Sequence, residues 1–312
     1  MNAYLPTNKR VRQAMAGAGA GALTKTSVAP LERVKILFQI QGMQGNTGAN
    51  RKYHGLVQAL RLIVKEEGPV ALWKGNGANC VRVVPVYALK FAFNDTFKDM
   101  VRTPDQLSEK DLTIGQRMLA GTMAGLCQTS LTYPLETVRT RLSIGEALSG
   151  VHYNGIVDCF RTTVRQEGFS ALYKGIAPTY LSGAPYVGLQ MTFFDVYKNW
   201  LVGSAGHPND NGETASIGRR VGNMMAAGAL AGITAQTITY PGDTIRRRMQ
   251  SNGMGGTKLL YRNSWHCVTT ILKQEGVVGL YRGLLINCLR GIPGAAIQFS
   301  AYEGLKNVFD CT

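Results

Sequence analysis

The 312-residue sequence predicts an all-α membrane protein: six transmembrane helices in three pseudo-symmetric repeats of about 100 residues, with one short amphipathic helix in each repeat. Three observations predict it. First, landmarks recur in register: "PLERVK" at 30–35, "PLETVR" at 134–139 and "PGDTIR" at 241–246 place their prolines 104 and 107 residues apart. Gly68, Gly168 and Gly276 of "KEEG", "RQEG" and "KQEG" are 100 and 108 apart, as are "WKG", "YKG" and "YRG", the tyrosines 53, 153 and 261, and the acids Asp95, Asp195 and Glu303. Second, each repeat holds two long apolar segments. Third, residues 176–194 and 221–240 carry no charge over about the 20 residues that span 30 Å of hydrocarbon.

The repeats are read as 1–104, 105–207 and 208–312. Each opens with a Gly/Ala-rich apolar segment closing near the proline (14–34, 118–138 and 222–245). Within these, Gly17/Gly21, Gly121/Gly125 and Gly228/Gly232 are Gly-x-x-x-Gly pairs, expected to let neighbouring helices approach closely. A polar loop follows, then a segment such as "LVQALRLIVKEEG" with apolar residues at helical spacing. A second apolar segment ends the repeat: 76–94, 176–194 and 284–302. The loops 41–75, 142–175 and 250–283 carry five, three and four Lys/Arg, and the connectors 99–116 and 199–216 carry two and none. The positive-inside rule puts the loops on the inner side and both termini opposite. "KRVR" at 9–12 is an exception to that pattern.

A net charge of +15 raises nucleic-acid binding, but the sequence has no clustered basic stripe with a groove-reading motif and no aromatic stacking platform. Anionic lipid and an anionic solute account for the excess more economically. The six cysteines, Cys80, Cys127, Cys159, Cys267, Cys288 and Cys311, have no Cys-x-x-Cys spacing and read as free thiols. The four histidines form no metal-ligand pattern, and no nucleophile elbow, Walker loop or paired-carboxylate site is visible, so neither an enzyme, a metal nor a cofactor is expected.

Intramembrane cations are costly, about 2.5–3.5 kcal/mol each on insertion scales, and mark function. Arg82 and Arg290 occupy equivalent positions thirteen residues before the repeated acids Asp95 and Glu303, and Lys25 and Lys90 add two more positive centres. Four cations without acidic partners nearby in sequence imply an anionic solute, and guanidinium forks suit phosphate oxygens. Repeat two has Ser182 in the arginine's place, then Gly183, with Tyr186 one turn on, a small uncharged surface beside a ring that would accept a flat base.

The triplicated Pro-x-Glu/Asp-x-x-Lys/Arg, with "EG" and aromatic-Lys/Arg-Gly downstream, resembles the mitochondrial carrier family over nearly the whole chain. That resemblance implies six tilted helices around a central cavity, three short helices on the matrix side, and an inner-membrane location with both termini toward the intermembrane space. It implies a matrix gate of Glu32–Arg139, Glu136–Arg246 and Asp243–Lys35, braced by Gln39 and Gln250, with Ser143 lacking the brace in repeat two. It also implies a cytoplasmic gate of Asp95–Lys198, Asp195–Lys306 and Glu303–Lys98, with Asn94 departing from the aromatic-acid pattern of the other copies. Isolated i, i+3 salt bridges are the bland reading of such pairs, but three copies in register favour rings.

"TKTSVAPLERVK" at 24–35 resembles adenine nucleotide carriers, including Lys25 as a substrate-binding lysine; "KGNGANCVRVVP" at 74–85 and "RRRMQ" at 246–250 resemble the coenzyme A and AMP/ADP branch. The implied activity is antiport of an adenine nucleotide, with a coenzyme A or adenosine 3',5'-bisphosphate carrier as the alternative. A calcium-regulated ATP-Mg/phosphate carrier would be expected to carry a long amino-terminal calcium-binding extension, and a keto-acid carrier an arginine where Ser182 stands. Cardiolipin phosphates are expected at the short helices' amino termini near Gly55, Gly155, Gly75, Gly175 and Gly283, with Asn263 replacing the glycine in repeat three. No cleavable signal is visible, nucleic acid is not an expected partner, and the protein is expected to act as a monomer in the lipid bilayer.

Overall fold

In a computed structural model of the chain, residues 9–45, 51–102, 113–203 and 213–308 are described. Cys311 and the centres of both connectors lie outside them. The described residues form helices without strands: α1 (Lys9–Ile40), α2 (Leu56–Glu67), α3 (Asn76–Val101), α4 (Ile114–Ser149), α5 (Ile156–Glu167), α6 (Ile176–Gly203), α7 (Glu213–Ser251), α8 (Ser264–Leu280) and α9 (Leu284–Val308). The six long helices close a ring, because α3 packs along α4, α6 along α7, and α9 returns along α1. The first long helices of the three repeats, α1, α4 and α7, are the odd ones of the ring and also touch one another; α3, α6 and α9 are the even ones.

The odd helices run on past their prolines, and one sequence expectation, close packing at the repeated glycine pairs, needs correction. Pro30, Pro134 and Pro241 lie inside α1, α4 and α7, each of which continues about ten residues or more, ample for the ring bases and the brace positions to remain helical. The Gly-x-x-x-Gly pairs do not pack closely: a Cβ at Gly17, Gly21, Gly121, Gly125 or Gly232 would meet nothing within 4 Å, and at Gly228 only the Phe194 ring at 3.9 Å. Nor is any helix among the described residues long and apolar enough, by hydropathy alone, to cross a membrane. The charge-free segments 176–194 and 221–240 are rich in Gly, Thr, Ser and Gln, and lacking charge is not the same as being apolar.

Close approach occurs instead at the glycine of each aromatic-Lys/Arg-Gly motif. Gly75, Gly175 and Gly283 have φ of 84°, 89° and 89°, a left-handed conformation open to glycine at little steric cost. They wedge the starts of α3, α6 and α9 against the next odd helix. A Cβ at Gly75 would collide with Ser143 Oγ, at Gly175 it would lie 2.9 Å from the Arg246 carbonyl oxygen, and at Gly283 3.1 Å from the Lys35 carbonyl oxygen.

Each short helix is tied to the ring by one buried arginine. Arg33, Arg141 and Arg248 reach Glu67, Glu167 and Glu275, the acids of the "EG" motifs, with Nη2–carboxylate distances of 2.7, 2.9 and 2.9 Å. Their Nε atoms donate across repeats, to the carbonyl oxygens of Ser143 (2.9 Å), Gln250 (3.2 Å) and Gln39 (2.9 Å). The links run from α1 to α4, α4 to α7 and α7 to α1, so they form a closed cycle. Burial opposes ionisation of Glu67, but hydrogen bonds from Arg33 and Lys74 outweigh it and hold its carboxyl below the usual range. The thiols of Cys159 and Cys267 on α5 and α8 are pushed up to about 12 by burial and stay protonated.

Candidate functional site

Just past the three prolines, the odd helices bring three carboxylates and their partners to one level. Glu32 pairs with Arg139 across α1 and α4, Glu136 with Arg246 across α4 and α7, and Asp243 with Lys35 across α7 and α1, the last at 3.8 Å. The even helices add to this layer. Arg290 Nη1 on α9 lies 2.7 Å from Glu32 Oε1, and Arg82 Nη1 on α3 lies 3.2 Å from Glu136 Oε2. Arg82 and Arg290, read from sequence as cations without acidic partners, therefore have them. The partners sit on neighbouring odd helices more than fifty residues away in sequence, where local spacing could not reveal them.

Arg247, not singled out from sequence, is the third guanidinium on Glu136, at 3.4 Å, and also donates to Thr140 Oγ1 at 2.6 Å. The signal was the triplet 246–248, whose members divide the work: Arg246 and Arg247 face the ring and Arg248 holds α8. Six cations (Lys35, Arg82, Arg139, Arg246, Arg247, Arg290) against three acids leave three positive charges in this layer. Lys25 lies two turns before Glu32 on the same face of α1, and it makes no ion pair among the described residues; Lys90, farther along α3, is exposed and likewise makes none. Such a layer attracts an anion.

The corner at Asp243 differs from the other two. Lys35 Nζ donates instead to Asn287 Oδ1 at 2.9 Å, and Asp243 accepts from Gln236 Nε2 at 3.1 Å. No arginine arrives from α6, because Ser182 holds that position. Ser182 does not present a cavity surface: it is buried, donates to the Pro178 carbonyl oxygen at 2.8 Å, and packs on Gly242, where a Cβ would come within 2.5 Å of its own. Its small size serves the α6–α7 contact. Gly183 is exposed and Tyr186 half-buried.

The brace positions are also unequal. The Gln250 amide accepts from Thr140 and Arg247 at 3.0 and 2.9 Å and donates to the Tyr133 hydroxyl at 3.2 Å. Gln39 is fully buried beside the Tyr240 hydroxyl but makes no hydrogen bond of good geometry. In repeat two the glutamine is Ser143, and the tyrosine it would face, by the same cycle, is Ala29. Donor and acceptor are missing together.

The sequence matches the family "Mitochondrial carrier protein" over residues 7–105, 110–205 and 219–311. The chain belongs to the mitochondrial carrier family. It is similar to the mitochondrial adenine nucleotide transporter ADNT1 of Arabidopsis thaliana, 38% identical over 309 residues, covering 94% of this chain and 85% of that protein. The human mitochondrial adenyl nucleotide antiporter SLC25A24 is 33% identical over 96% of this chain, which spans only 59% of that protein's length. The maize mitochondrial carrier protein CoAc2 is 34% identical, with 95% of this chain and 86% of that protein covered.

This carrier's second set of acids and bases, at the opposite ends of the even helices, is apart in the structure. None of the pairs Asp95–Lys198, Asp195–Lys306 or Glu303–Lys98 forms among the described residues, and the three acids are exposed. Ion pairs thus join the helices just past the prolines, whereas these three pairs at the opposite ends are not formed among the described residues. Between repeats one and two, a pocket of about 290 Å³ joins Gly75 at the start of α3 to Gly155 at the start of α5, with Lys74 and His152 on its wall. Gly55 and Gly155 give α2 and α5 no side-chain cap, so their first amide groups stay available to an anion. Asn263 instead accepts the His266 amide at 2.8 Å and caps α8 itself.

Proposed function

We propose that this carrier is a mitochondrial inner-membrane antiporter of adenine nucleotides, working by alternating access between two electrostatic gates, with both termini toward the intermembrane space. The observation that carries the reading is the excess of positive charge where Arg82, Arg290 and Lys25 gather above the Glu32–Glu136–Asp243 layer. Phosphates entering the open face would meet Lys25 first, and then compete with Glu32 and Glu136 for the Arg290 and Arg82 guanidiniums. Each guanidinium drawn to a phosphate leaves a gate carboxylate with one partner fewer. Solute binding thereby loosens the closed ring, and the pairs Asp95–Lys198, Asp195–Lys306 and Glu303–Lys98 would form to close the other side.

Similarity to proteins named for adenine nucleotide transport supports the solute class. A second reading, coenzyme A or adenosine 3',5'-bisphosphate, is favoured by the likeness to maize CoAc2. Cardiolipin is the proposed lipid partner at the glycine-started helices, the monomer the proposed working unit, and nucleic acid is not proposed as a partner. The test is purified carrier in liposomes preloaded with ADP, ATP, AMP, coenzyme A, phosphate or malate. Exchange of adenine nucleotides supports the first reading and exchange of coenzyme A alone the second. Brisk malate or phosphate exchange with no adenine compound moving would refute both.

A further inference from the structure

The pseudo-threefold cycle places Lys25, Thr129 and Gln236 at one equivalent position, each five residues before its repeat's proline. Repeat one puts a cation there, at the phosphate end of the cavity. Repeat three puts an amide, on the side where α6 brings no arginine. From this juxtaposition we propose that Gln236, held in place by Asp243, reads the hydrogen-bonding edge of the solute's adenine base, an inference that rests on the adenine-nucleotide reading above.

Asp243 has the least compensated carboxylate of the ring, its side chain 30% exposed against 15% for Glu32 and 6% for Glu136. An ionised carboxylate only accepts hydrogen bonds, so it must face the nitrogen of Gln236, as it does at 3.1 Å. That bond uses one of two amide protons and fixes the plane of the amide. The second proton and the carbonyl oxygen make no other hydrogen bond among the described residues. A glutamine amide presents one donor and one acceptor side by side, the complement of adenine's N6 amine and adjacent ring nitrogen.

The neighbouring helix α6 supplies a stacking face. Helices α6 and α7 run antiparallel, since Ser182 meets Gly242 at one level and the Leu201 carbonyl accepts from Asn223 at another. Counting 1.5 Å per residue, Tyr186 stands about 6 Å and Gln236 about 9 Å from the Ser182–Gly242 contact, in the same direction. An aromatic ring and a donor–acceptor edge at nearly one height suit a flat heterocycle whose phosphates extend toward Arg82 and Arg290. Hypoxanthine, with a carbonyl at C6 and a protonated N1, inverts adenine's pattern and mismatches the same amide.

The experiment compares uptake of ADP and IDP by the intact carrier in ADP-loaded liposomes. Wild type is expected to favour ADP on the order of tenfold, as one bidentate base contact allows, and Gln236→Leu to bring the ratio close to one by losing ADP uptake while keeping IDP uptake. Should Gln236→Leu transport neither, Gln236→Thr, which copies the repeat-two residue, carries the comparison. The ratio of ADP to IDP concentrations that half-protect each purified variant against heat gives a readout independent of turnover. A wild type that prefers ADP, with variants that preserve the full preference, overturns the role of Gln236 and leaves the adenine-nucleotide reading standing. A wild type that moves neither nucleotide removes that reading, and this inference with it.

Discussion

The Glu136 corner and the Asp243 corner of one ring are built from equivalent residues and end up physically different. Glu136 is buried among Arg246, Arg247 and Arg82. Asp243 has a lysine at 3.8 Å and a glutamine amide, and it is the more exposed of the two. The difference traces to one position: where repeats one and three send an arginine from the even helix, repeat two sends Ser182 into the helix–helix contact. A symmetric scaffold thereby acquires a strongly cationic side and a neutral hydrogen-bonding side, matching a solute with a charged end and a flat end.

Substitutions can break or sharpen that contrast. Glu136→Gln should have the largest effect, because it strands guanidiniums around a buried site, and breaking a buried pair costs about 3–5 kcal/mol. Thermal unfolding of the purified carrier should fall steeply and uptake should be lost; an unchanged melting profile would mean the corner is not held by charge. Tyr133→Phe removes the hydroxyl that Gln250 donates to and that itself donates to the Lys174 carbonyl at 3.2 Å. A loss of about 0.5–1.5 kcal/mol is expected, and the corresponding Tyr240→Phe should lose less through its brace, since Gln39 makes no such bond. Asp243→Asn should affect stability least, about 0–1 kcal/mol, as a partly exposed pair at long distance. If Asp243→Asn proved as damaging to stability as Glu136→Gln, the corners would not differ as described.

How far the sequence could foresee this depended on whether a feature was local. The repeat and the helices followed from spacing, because periodicity and equivalent positions are properties of one strand of text, whereas the ring pairs beyond the prolines were expected from the family resemblance. The other contacts between repeats were not legible. Arg82 and Arg290 stood out as costly cations, but their carboxylates lie on other helices. Ser182 looked like cavity surface until its contact with Gly242 was seen. Arg247 was masked by the flanking arginines of its triplet, and Gln236 by having a lysine and a threonine as its equivalents, so no repeated motif marked it. The Gly-x-x-x-Gly pairs failed for a related reason: small residues permit close approach but do not compel it, and here the close contacts fall at Gly75, Gly175 and Gly283.

If Arg82 and Arg290 bind the solute's phosphates, ADP/ADP exchange in liposomes by Arg82→Ala and Arg290→Ala beside wild type shows it most directly. Each variant is expected to reconstitute as folded carrier, judged by its thermal unfolding, yet to exchange nucleotide at background rate. Wild-type exchange by either variant would contradict it, because a neutral methyl group cannot hold a phosphate at bilayer depth.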